Sequence, residues 1–233
     1  MGQQLLEGIE LPDGSSYVGG IKDGKRHGKG TMAYIGGAVY QGMWKDDQRH
    51  GIGLLAEPGG STYQGAWIAD RPNGSGTAVG AGSKYIGTWK NGKRHGRGKS
   101  QFTSGDKYEG DWCDDKMHGK GTYAFANGDR YEGELADDKL HGNGVLKWQN
   151  GVTCRGTWKN GELADKCTIT FPDGARYEGE QKNAIPHGKG VLKMADGSVY
   201  EGMFENGTWQ GQGKLKTPDG KTQTGTWKNG VLS

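Results

Sequence analysis

The chain has 233 residues and a net charge of +3, but Leu, Ile, Val and Phe together supply only 32 of them, too few for a conventional aliphatic core. Eight Trp, ten Tyr and 47 Gly beside six Pro exclude a charge-rich disordered chain and a collagen-like one. Aromatic packing must order the chain, and the glycines must serve turns and close backbone approach.

In chain order, the first element is "LLEGIELPDGSSYVGGI", residues 5–21, which reads as two strands around a Pro-Asp-Gly turn. Its parts recur to the end of the chain. Tyr17, Tyr40, Tyr63, Tyr85, Tyr108, Tyr131, Tyr177 and Tyr200 are spaced by 23 residues with one step of 22, and Cys154 and Gln223 fill the two remaining slots. Two positions after each slot stands a glycine, and four positions after it stands an aromatic residue in seven of ten units: Trp44, Trp67, Trp89, Trp112, Trp158, Phe204 and Trp227. Alternation puts Tyr, Gly and Trp on one strand face. A second strand, G-x-G-x-φ, carries Met32, Leu55, Tyr123, Leu146, Ile169, Leu192 or Leu215 in its apolar slot, and a turn such as Asp13-Gly14 or Asn127-Gly128 joins it to the next Tyr. The fold class predicted is all-β: a twisted, single-layer antiparallel sheet of about ten stacked hairpins. One array covers 5–230, residues 1–4 form an N-terminal tail, and the pattern decays around Cys154–Cys167.

Nine connections of the "KNGKRH" kind link the hairpins, and six of them end in His-Gly-x-Gly, at His27, His50, His95, His118, His141 and His187. Equivalent histidines in successive units lie two strands apart, roughly 10 Å, whereas a zinc ligand lies about 2 Å from its metal, so no metal site is expected. A motif repeated along a sheet offers no unique nucleophile and base, and H-G-x-G opens a strand where a phosphate loop opens a helix. No catalytic residue and no cofactor is expected. Three cysteines, Cys113, Cys154 and Cys167, make no disulfide framework and fit a reducing, cytoplasmic setting. No apolar stretch has the length of a membrane span.

The pattern Y-x-G-x-W-x-N-G-x-x-H-G-x-G-x-φ resembles the MORN repeat (membrane occupation and recognition nexus), in register over nearly the whole chain. The resemblance implies a non-enzymatic scaffold that holds protein segments, often within cytoskeletal, ciliary or flagellar assemblies. The expected groove is the incompletely covered aromatic face: Tyr40, Trp44, Tyr63, Trp67, Tyr85, Trp89, Tyr108, Trp112 and Tyr131. The alternative is a peripheral protein binding anionic phosphoinositide lipids through a basic loop edge, with Lys25, Arg26, Lys93, Arg94, Arg97 and Lys99 as the candidate lipid or partner contacts. End strands invite self-association. A nucleic-acid partner is not expected.

Overall fold

The computed structural model describes residues 8–80 and 82–233, so the expected tail, residues 1–4, lies outside the described residues. All regular structure in it is strand. The chain divides into two compact units, the first ending at Met117 and the second running from His118 to Ser233.

The first unit holds β1 (Ile9–Glu10), β2 (Ser16–Lys22), β3 (Lys25–Ala33), β4 (Val39–Lys45), β5 (Gln48–Ala56), β6 (Thr62–Ile68), β7 (Arg71–Gly80), β8 (Ser83–Lys90), β9 (Lys93–Phe102) and β10 (Lys107–Cys113). Each pairs antiparallel with its neighbours in sequence. The second unit is likewise a meander, of β11 (Lys116–Ala124), whose first two residues precede its boundary, β12 (Arg130–Ala136), β13 (Lys139–Lys147), β14 (Thr153–Lys159), β15 (Glu162–Thr170), β16 (Arg176–Lys182), β17 (Ile185–Lys193), β18 (Val199–Glu205), β19 (Thr208–Lys216), β20 (Thr222–Lys228) and β21 (Val231–Leu232). From β11 onward, consecutive strands again pair antiparallel.

Two turn types alternate. The Pro-Asp-Gly kind is a three-residue loop: the Gly14 amide donates to the Leu11 carbonyl, Gly14 has φ +81°, and the Asp13 carboxylate accepts from the Ser15 amide. This is a type I turn closed by a left-handed glycine. The "KNGKRH" connections differ from the loops expected. Their only turn residues are pairs with positive φ, Asp23-Gly24, Asp46-Asp47, Asn91-Gly92 or Asp114-Asp115, while Lys25-Arg26-His27 and Lys93-Arg94-His95 already belong to β3 and β9. Two consecutive left-handed residues make a turn whose twist matches a two-residue hairpin, and Asp, Asn and Gly tolerate that conformation best.

The glycine two positions after each Tyr sits in a row running straight across the strands. In the first unit Gly19 faces Gly30, Gly30 faces Gly42, and Gly42 faces Gly53. The tyrosine lies flat over this row. A Cβ on Gly30 would stand 2.2 Å from the Tyr17 hydroxyl, and one on Gly53 equally close to that of Tyr40. Only glycine leaves room for the ring, whose hydroxyl then reaches a backbone carbonyl, Gly20 for Tyr17 and Met43 for Tyr40, at 3.0 Å in both. In the first unit Trp44 and Trp67 each stand edge-on between two such tyrosines: Trp44 is 5.6 Å from Tyr17 and 5.2 Å from Tyr40, Trp67 5.4 Å from Tyr40 and 5.0 Å from Tyr63. T-shaped pairs of this kind contribute about 0.5–1.5 kcal/mol each beyond their burial.

Candidate functional site

The open aromatic groove expected from the sequence is closed. Tyr40 (0 %), Trp44 (3 %), Tyr63 (7 %), Trp67 (2 %), Tyr85 (2 %), Tyr108 (1 %), Trp112 (3 %) and Tyr131 (0 %) are interior residues. The cover comes from a feature that the sequence reading passed over. After each His the glycine is left-handed, Gly28 at φ +73° and Gly51 at φ +61°, and only the residues from that glycine onward pair with the following strand. The short segment before it, Lys25–His27 in β3, is therefore free to bend over the next hairpin. Arg26 places its guanidinium 4.4 Å from the ring centre of Trp44, Arg49 lies 4.4 Å from that of Trp67, and Arg94 lies 4.2 Å from that of Trp112.

These arginines are also latched to the next turn. Arg26 Nε donates to Asp47 Oδ1 at 3.1 Å, its terminal nitrogen donates to the Asp47 carbonyl at 2.9 Å, and its backbone amide donates to the same carboxylate at 2.9 Å. The Arg26 amide beside it, with the guanidinium, holds the Asp47 carboxyl below the usual carboxylate range. Arg49 with Asp70 and Arg94 with Asp115 repeat the arrangement. The column before the His position of each repeat, which Asn73, Ala164 and Gln210 fill in three of them, reads Arg26, Arg49, Pro72, Arg94, Met117, Leu140, Leu163, Pro186 and Trp209 and was the signal available in the sequence. At β19, where arginine is absent from this column, Trp209 takes its place: it stacks on Tyr200 at 4.2 Å and meets Trp227 edge-on at 5.1 Å.

The basic edge is correspondingly dismantled. Arg26 and Arg94 are cover residues, not free charges; Arg97 pairs with Asp111 and Lys99 with Glu109, both at 2.9 Å. Of the six candidates, Lys25 and Lys93 are exposed, and Lys25 lies close enough to Asp47 to help hold its carboxyl ionised. An edge of free cations suited to an anionic lipid surface is therefore not what this arrangement builds.

Among the nine rings proposed from the sequence, Trp89 is the one only partly buried. Residue 72 should cover it and is proline, which has no guanidinium to lay across an indole. The apolar slot of β7 is also reduced, to Ala78, where the two preceding units hold Met32 and Leu55 and the following one holds Ser100; Ala78 faces Tyr63 on one side and Tyr85 on the other. The two truncations leave a cavity of about 370 Å³ lined by Leu55, Tyr63, Ala78, Tyr85, Trp89 and Arg94, among others. Trp89 spends its indole N–H on the Gly76 carbonyl at 3.3 Å and packs edge-on to Tyr63 and Tyr85 at 5.1 and 5.2 Å, so the ring is fixed with one side open. Burial pushes the hydroxyls of Tyr63 and Tyr85 up to about 12, so both are neutral walls near neutral pH. A recess walled by Tyr63, Tyr85 and Trp89, with Glu57, Ser61, Thr62 and Ser83 also in its lining, can hold an apolar group against the rings and fix its orientation.

Among solved structures, the TCP10 domain of Danio rerio CPAP in complex with a peptide of Danio rerio STIL is similar at 16 % identity, covering 95 % of this chain and 99 % of that one, with a TM-score of 0.41. The SAS-4 (dCPAP) TCP domain of Drosophila melanogaster in complex with a proline-rich motif of Ana2 is similar at 15 % identity over 76 % of this chain and 85 % of that one, TM-score 0.41. Among curated proteins no match to this chain was found. The repeats themselves match the MORN repeat nine times in tandem, at residues 17–39, 40–61, 63–82, 85–107, 108–130, 131–153, 154–176, 177–199 and 200–222. With the repeat filling nearly all of its length, the chain belongs to the MORN repeat family.

Proposed function

We propose that the chain is a non-enzymatic scaffold that seats a segment of another protein, with the recess beside Trp89 receiving one bulky apolar side chain of that segment. The observation that carries this reading is the interruption of the cover: the buried ladder tryptophans Trp44, Trp67 and Trp112 lie under an arginine, and Trp89 stands over a cavity of about 370 Å³. A partly open pocket walled by fixed rings is the usual form of an anchor site, since the rings lose little freedom on binding. A cytoskeletal or ciliary setting within the cytoplasm is argued from membership of the family.

The test is selection from a random peptide library on the intact chain, followed by affinity measurement. Enriched peptides should share a bulky apolar residue. Ala78→Leu, which installs the residue that β5 carries in the same slot at Leu55, should fill the recess, raise or preserve thermal stability, and weaken those peptides at least about tenfold. If Ala78→Leu leaves their affinity unchanged, or no peptide family emerges, the reading fails.

A further inference from the structure

On the face opposite the rings, the middle row of side chains can be followed across the first unit by its register: Val18 faces Thr31, Thr31 faces Gln41, Gln41 faces Leu54, Leu54 faces Gln64, Gln64 faces Thr77, and Thr77 faces Ile86. From β2 to β8 this row contains no charge. Val18 (46 % exposed), Leu54 (37 %) and Ile86 (50 %) stand in it, and Ile52 (64 %) adjoins it. At β9 the character changes abruptly: Ile86 faces Lys99, which pairs with Glu109, and Arg97 pairs with Asp111. The solvated face of an antiparallel sheet ordinarily carries polar and charged residues, as β9 and β10 do here. Seven strands without a charge in that row, with isoleucine at up to 64 % exposure, form the kind of surface that marks an interaction site.

We infer that this face of β2–β8 packs against the same face of a second copy of the chain, sheet on sheet, about a two-fold axis near Leu54 and Gln64. A second copy is the occupant the surface fits. It presents the same uncharged, branched row; the exposed charges in the rows beside it, Lys29 on β3 and Lys84 on β8, lie toward the two ends of the patch, where they can stay at a solvated rim, and the Gln and Thr side chains of one copy can pair with those of the other. The extent is adequate: seven strands at about 4.8 Å spacing and about 20 Å of strand length give roughly 700 Å² per copy, close to the about 800 Å² of a standard interface. Facing sheets would stand about 10 Å apart. This route differs from pairing of end strands and does not depend on the recess beside Trp89, which opens among the rings.

Sedimentation equilibrium of the full chain, from nanomolar to micromolar concentration, tests it. The expected result is a monomer–dimer equilibrium that Ile52→Lys with Ile86→Lys weakens by at least about a hundredfold, with an unchanged circular dichroism spectrum. Should that pair fail to fold, Ile52→Thr with Ile86→Thr keeps strand preference and should still weaken the dimer. Gln64→Cys should cross-link between copies with a short bismaleimide, whereas Thr224→Cys on β20, the last full-length strand, should not. A wild-type chain that stays monomeric throughout, a dimer indifferent to the charged pair, or cross-linking through Thr224→Cys alone would overturn the proposal.

Discussion

The tyrosine–glycine contact is the smallest unit on which the structure rests. A ring can cover the backbone of two strands only if both positions beneath it lack a side chain, and its hydroxyl then donates to a backbone carbonyl three residues further on. Burial pushes the hydroxyls of Tyr40, Tyr63, Tyr85, Tyr131 and Tyr177 up to about 12 from the usual value near 10. The folded state thus favours the neutral form, so their stabilising contribution is complete below about pH 10 and is lost as the pH rises from there through 12. Alkaline titration followed by tyrosinate absorbance should show these tyrosines ionising late and together with unfolding; ten tyrosines ionising near pH 10 with the sheet intact would contradict the packing. The same contact explains the irregular repeat. Cys154 replaces the ring and Cys167 replaces the glycine facing Gly156, so a thiol fills space a ring would have claimed. Cys154 is fully buried, and its hydrogen bond with Cys167, together with burial, pushes its thiol up and keeps it protonated.

At the scale of the hairpin, the period-two alternation, the Tyr and Trp slots and the Asp-Gly turns were legible in the sequence because each is a local requirement of one strand or one turn. The cover over the rings was not legible in the same way. It depends on a left-handed glycine after His that bends the strand and on a contact 21 residues away, between Arg26 and Asp47 or Arg49 and Asp70, and neither is implied by strand periodicity. The basic residues consequently looked like free loop charges. Arg49→Lys measures the latch: a lysine keeps the charge but loses the planar stack on Trp67 and the paired donors to Asp70. Chemical denaturation should register a loss of about 1 kcal/mol, and an unchanged midpoint would mean that the contact contributes nothing.

For the chain taken whole, repetition set the fold and departures from repetition set the candidate site. A groove along the entire aromatic face was the natural inference from a single-layer sheet, and it failed because Arg26, Arg49 and Arg94 close that face over Trp44, Trp67 and Trp112. What survives is local: Pro72 and Ala78, each a small change in its column, open one recess beside Trp89. The eight tryptophan indole N–H signals in a nitrogen–proton NMR spectrum test this most directly. Titration with a library-selected peptide bearing a bulky apolar residue should shift the Trp89 signal while those of Trp44, Trp67 and Trp112 stay in place. Shifts of those three signals with Trp89 unmoved would contradict the account.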